Sequence, residues 1–183
     1  SLAALPAEYI SLQLAHFKTG IRANAIMLGM SAALTEADMK ALGTYYSQQK
    51  PKGLAAKDAA LVDAGRSLYR TGDTAAGIPA CSACHGPAGA GIPKSYPRLA
   101  GQHGAYTVAQ LKAFRTGERG ADKGGKDLNG RIMATIAAKM RAPRTVGVPY
   151  QDDEIAKAPE MLKDRTELDA LVAYLQGLGR HAP

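Results

Sequence analysis

Tryptophan is absent from this chain of 183 residues, and phenylalanine occurs only twice. A core so poor in aromatic rings would gain much from a large flat apolar cofactor. Cysteine is just as scarce. Cys81 and Cys84 are the only two, so no second close pair exists to complete a four-ligand zinc site. No apolar run approaches the length needed to cross a bilayer, and no strand pattern is persuasive. No signal segment opens the chain. It reads as mature or truncated, which leaves room for a membrane anchor lost with a missing segment.

What is present is ordinary in bulk. Apolar residues make up 46%, and the length suits one domain or two small ones. The formal charge is +7. Lys123, Lys126, Arg131, Lys139, Arg141 and Arg144 form a loosely basic stretch. Most of it reads as solvated surface. It also suits docking of an acidic redox partner, steered by charge. Nucleic acid is excluded as a partner, because no aromatic residues interleave the basic ones and no recognition motif accompanies them.

The two cysteines stand in Cys81-Ser82-Ala83-Cys84-His85, the C-x-x-C-H pattern of covalent haem attachment. One short turn separates the thiols, so each reaches one vinyl group of the same porphyrin. His85 follows at once, placed to coordinate the iron from the proximal side. A thioredoxin-like pair would need a βαβ setting that the chain lacks. A disulfide across two intervening residues would be strained and would leave His85 unexplained. Haem of this type is attached outside the bacterial inner membrane, so the motif points to the periplasm.

The rest of the pattern is helical. Residues 9–17 repeat apolar side chains at helical spacing and stop at Gly20. Thr35 opens a second helix with Asp38 at the capping-box position. Residues 50–53 form a linker, and residues 58–69 a third helix. Gly65 is costly inside it, which predicts close approach by another helix. A loop rich in Gly and Pro runs over residues 86–101. Helical stretches follow at 106–114, 133–140 and 167–178, with a loop at 141–159.

An internal repeat joins the two halves. Tyr9, Gln13, Leu14, Phe17, Gly20 and Arg22 recur at the same spacing as Tyr106, Gln110, Leu111, Phe114, Gly117 and Arg119. Each copy precedes a helix carrying methionine, Met27 in one and Met133 in the other. The first copy begins beyond the point where its own C-x-x-C-H should stand. The chain is therefore expected to hold a partial cytochrome c-like domain at 1–50, a linker at 51–57 and a haem-bearing domain at 58–183.

Residues 61–139 resemble the second domain of cytochrome c4, a diheme periplasmic electron carrier. The resemblance is carried by Ile78-Pro-Ala-Cys-Ser-Ala-Cys-His-Gly-Pro, Gly89-Ala-Gly, Tyr96-Pro-Arg-Leu-Ala-Gly-Gln-His-Gly-Ala-Tyr and Gln110-Leu111. Residues 2–50 resemble the later part of that family's first domain. The tail departs: residues 139–150 and 166–179 resemble the end of the monohaem cytochrome c subunit of cbb3-type oxidases. The implied fold is all-α, class I cytochrome c-like, with an incomplete companion domain. The first and last helices of the haem domain are expected to cross near Gly65 and Tyr174.

A high-potential carrier needs a soft neutral distal ligand, which is methionine. Met133, Met140 and Met161 are the downstream candidates, and the resemblance selects Met133. It makes Met27 the possible distal ligand of a first haem, although core packing is the safer reading there. It makes the Pro97 carbonyl the acceptor for the proximal imidazole N–H. It also makes Arg98 and Gln102 donors to a haem propionate, against the alternative of plain surface. His103 reads as a solvated loop histidine.

The implied function is electron transfer toward a terminal oxidase, from a quinol-oxidising complex, with one haem c expected and a second if a missing segment supplies it. With both axial positions filled, the chain is no enzyme. The alternatives are an electron-relay subunit of a cbb3-type oxidase, and a haem peroxidase or gas sensor if the distal methionine is labile.

Overall fold

The computed structural model describes residues 1–121, 124–140 and 167–178. Eight α-helices are present among them: α1 Ala7–Lys18, α2 Ala25–Ala32, α3 Glu36–Ser47, α4 Val62–Thr71, α5 Ser82–His85, α6 Gly104–Thr116, α7 Leu128–Lys139 and α8 Glu167–Leu178. No named strand occurs among the described residues; the two isolated β-bridges, Asp73 with Ile78 and Ile92 with Tyr96, only pinch loops.

Local chemistry sets several boundaries. Thr35 and Asp38 form a complete capping box at the start of α3, each satisfying the other's backbone N–H. The Asn24 side chain accepts from the Met27 N–H at the start of α2. The Asp127 carboxylate accepts from the Gly130 N–H and opens α7 at Leu128. The methionine helix therefore starts a full turn earlier than its apolar spacing from Met133 indicated. The loop expected at residues 141–159 and Met161 lie outside the described residues.

Helix α4 packs on α8, and the crossing is as tight as the cost of Gly65 implied. A Cβ at Gly65 would stand 1.9 Å from the Ala170 carbonyl oxygen and 2.7 Å from the Tyr174 Cβ. Around this crossing Leu68, Tyr69, Ile78, Met140, Leu171, Tyr174 and Leu175 form the main core. The rings of Tyr69 and Tyr174 meet with centroids 5.5 Å apart, an aromatic pair worth about 1 kcal/mol beyond its buried area. α6 packs against both α7 and α8 and so closes the second group of helices.

Helices α1, α2 and α3 pack among themselves. In α2 only Ser31 is buried. Ile26 is 77% and Met30 69% exposed, so this short apolar helix presents most of its surface uncovered.

The two groups of helices meet through the repeated residues. Arg22 donates to Gln13 Oε1 at 2.7 Å, to Gln110 Oε1 at 2.7 Å and to the Tyr106 hydroxyl at 3.0 Å. Arg119 returns the pattern to Gln110 Oε1 at 2.6 Å, Gln13 Oε1 at 3.0 Å and the Tyr9 hydroxyl at 2.9 Å. Each guanidinium also covers its own repeat's phenylalanine at 4.5 Å, Arg22 on Phe17 and Arg119 on Phe114. The repeat is thus a pseudo-two-fold, self-complementary contact. Arg119 is the more buried of the pair. Arg119→Ala should cost about 2 kcal/mol, because bonds to a charged donor are worth roughly 1.5–3 kcal/mol and their acceptors would be stranded. Arg22→Ala should cost less. Urea unfolding of the two variants measures the difference.

Candidate haem site

The site is built on a single turn of helix. Cys81 caps α5, Cys84 lies within it and His85 ends it. Gly86 follows at φ +79°, which stops the helix and releases the loop. Both cysteines are free and partly buried. Burial pushes the Cys81 thiol up to about 11. No group of three His, Cys, Asp or Glu able to hold a metal ion occurs among the described residues.

His85 is buried, and its two ring nitrogens differ sharply. Nδ1 stands 2.9 Å from the Pro97 carbonyl oxygen. A carbonyl only accepts, so Nδ1 is the nitrogen assigned the proton. Nε2 then carries a lone pair, and it is buried with no hydrogen-bond partner. Buried polar atoms are ordinarily satisfied, so an orphaned imidazole lone pair asks for a ligand. Burial pushes the His85 pKa down, and the bond to Pro97 opposes this only in part. The ring is therefore kept neutral, the form that binds a metal.

The loop after His85 is wired to hold this arrangement. The Gly91 N–H donates to the His85 carbonyl at 2.9 Å, and the Leu99 and Ala100 N–H groups donate to the Gly89 carbonyl at 2.8 and 3.0 Å. At Gly91, φ is +87° and a Cβ would stand 2.7 Å from both the Arg98 nitrogen and the Tyr96 oxygen, so only glycine fits. The Tyr96 ring sits edge-on to His85, centroids 6.2 Å apart.

A cavity of about 620 Å³ opens between residues 74–79, shortly before Cys81 in the chain, and α7. Ile78, Pro79, Ile132 and Ile136 give it an apolar lining, and Lys139 lies at its margin, donating to the Gly77 carbonyl at 3.0 Å. Met133 is half-buried on α7. It stands one residue from Ile132 and three from Ile136, so it flanks the helix face that lines the cavity. Met140 is instead part of the main core.

The remaining expected residues fall in different places. The Arg98 Nε donates to the Ala100 carbonyl at 3.0 Å, and its guanidinium is partly buried. The Gln102 Nε2 donates to the Ser1 carbonyl at 2.9 Å, and Oε1 accepts from the His103 N–H at 3.0 Å. Met27 lies half-buried on the exposed helix α2. Asp127 had not been singled out, yet its cap places the start of α7. An Asp three residues before Gly130 and just before an apolar-periodic run was the available signal.

The pieces fit a haem. Two closely spaced thiols and a desolvated imidazole lone pair share one short segment, and residues 62–179 match the cytochrome c family. The site and the fold are those of a c-type cytochrome, which binds haem c and transfers electrons. Cytochrome c4 of Thiocapsa roseopersicina is 45% identical over 182 residues, covering 98% of this chain and 78% of that protein. A thiosulfate dehydrogenase electron acceptor of Thiomonas intermedia (strain K12) is 42% identical over 149 residues, 80% of this chain and 66% of that protein. The solved structure of reduced recombinant cytochrome c4 from Pseudomonas stutzeri superimposes with a TM-score of 0.72 at 31% identity, over 96% of this chain and 83% of that one. The chain belongs to the cytochrome c4 family.

Proposed function

We propose that this chain relays single electrons between protein partners in the periplasm, toward a terminal oxidase, on a haem anchored by Cys81 and Cys84 and held axially by His85 and Met133. The observation that carries the reading is the buried, unpartnered Nε2 of His85, fixed by Nδ1 on Pro97. The bound haem supplies a one-electron iron couple. The protein's part is to orient the imidazole, raise its basicity through the Pro97 carbonyl and surround the cofactor with apolar side chains. His85 and Met133 would hold the iron, and a haem so held would supply electron transfer without admitting a substrate, the behaviour of a carrier rather than a catalyst. Arg98 stays in this reading as a donor to a haem propionate. A second haem, with Met27 as its ligand, enters this reading only where a preceding segment supplies the attachment cysteines; the uncovered apolar helix α2 leaves surface for it. No described helix is long and apolar enough to cross a membrane.

A second reading concerns the donor. The relative named as electron acceptor of a thiosulfate dehydrogenase favours a sulfur-oxidising dehydrogenase as the source of electrons. Lys126, Arg131 and Lys139 are exposed and suit an acidic partner surface in either case.

The haem-loaded chain should show a low-spin spectrum with the weak near-infrared band of sulfur-to-iron charge transfer. Its intact mass counts the covalent haems. A high-spin haem that binds carbon monoxide or peroxide readily would replace the carrier with a peroxidase or sensor.

A further inference from the structure

We propose that Tyr69 is a positioning residue for the proximal imidazole, acting through its hydroxyl on the Gly86 carbonyl. The inference rests on the haem reading of His85 given above. Tyr69 is completely buried, at 0% exposure. Its hydroxyl donates to the Gly86 carbonyl at 2.6 Å. That carbonyl also accepts from the Gly89 N–H at 3.0 Å. The Gly89 carbonyl in turn receives the Leu99 and Ala100 N–H groups, directly after Pro97 and Arg98. The sequence of contacts is therefore short: Tyr69 hydroxyl, Gly86, Gly89, the strand of chain at 97–100, then the Pro97 oxygen on His85 Nδ1.

Packing alone does not require the hydroxyl. Phenylalanine would fill the same space against Tyr174 and Leu171. A buried hydroxyl is retained at no cost only where it is satisfied, and here its acceptor is the residue immediately after His85. Loss of the bond frees one lone pair of the Gly86 carbonyl and loosens the turn at residues 86–89. The Pro97 carbonyl then holds Nδ1–H less firmly. A less polarised imidazole is a weaker base and stabilises the ferric state less, so the reduction potential rises.

The test is Tyr69→Phe in the full haem-loaded chain, with Tyr174→Phe as its control. Tyr174 shares the aromatic pair but makes no hydrogen bond to the loop among the described residues. Tyr69→Phe should keep the low-spin spectrum and raise the potential; Tyr174→Phe should leave the potential at the parent value. An unmoved potential in Tyr69→Phe, or equal shifts in both variants, would overturn the role of Tyr69. If Tyr69→Phe does not load haem, para-aminophenylalanine at position 69, which restores a donor, must recover loading; failure to recover also overturns it. A parent chain without histidine-ligated low-spin haem would instead sink the reading of the site itself.

Discussion

Met133→Ala should load haem through Cys81 and Cys84 but lose the near-infrared sulfur band, turn high-spin and fall in reduction potential. Axial-ligand identity moves haem potentials over a range of about 0.8 V, so this substitution should shift the potential further than any change outside the two iron ligands. A thioether is a soft neutral donor that favours the reduced iron. The geometry behind the choice is the register of α7. Asp127 caps the helix at Gly130, which puts Ile132 and Ile136 on the cavity and Met133 at the edge of the same face. Met140 is 8% exposed and packs with Leu68, Tyr69 and Leu175. Met140→Ala should therefore behave oppositely: the band stays, and stability drops by about 2–5 kcal/mol as a core truncation does. If Met133→Ala keeps the band, the distal ligand lies elsewhere, and Met161 becomes the residue to test.

These two methionines show what was legible before the fold was known. The pentapeptide around Cys81 named its own chemistry, because covalent attachment needs residue types at fixed local spacing. The capping box at Thr35 was equally local. Gly65 announced a close approach through its cost in a helix, without saying that the neighbours were Ala170 and Tyr174. The bond from His85 to Pro97 came from family resemblance, and the orphaned Nε2 that gives it meaning required burial, which no spacing reveals. The repeat at Tyr9 and Tyr106 was visible, but its physical role was not. Arg22 and Arg119 reach across to glutamines far away in sequence, and such pairings exist only once the helices are placed. Gln102 was expected at a propionate because of its family position; its Nε2 bond to the Ser1 carbonyl is a long-range contact that no spacing reveals.

Gly65→Ala should destabilise the protein by about 3 kcal/mol, although alanine is the better helix former by roughly 1 kcal/mol. The reason lies in what the new methyl group meets. Its Cβ would stand 1.9 Å from the Ala170 carbonyl oxygen and 2.6 Å from the carbonyl carbon. Both are backbone atoms of α8 and cannot rotate aside, so α4 and α8 must separate. Overpacking of this kind ordinarily costs about 1–3 kcal/mol, and a rigid backbone neighbour puts this case at the upper end. At about 2–4 °C per kcal/mol for a chain of this size, the melting temperature should fall by roughly 6–12 °C. Gly29, in the exposed helix α2, is the control: a Cβ there meets nothing within 4 Å, so Gly29→Ala should be neutral or slightly stabilising. Equal stability of Gly65→Ala and the parent would mean that the crossing is looser than described. The consequence also reaches the haem site. Tyr69 lies one turn beyond Gly65 on α4, with its hydroxyl on Gly86, so parting the helices draws that hydroxyl away from the turn beside His85. Gly65→Ala should therefore raise the reduction potential in the same direction as Tyr69→Phe, whereas a mutation that merely lowered global stability would leave the potential of the folded population unchanged.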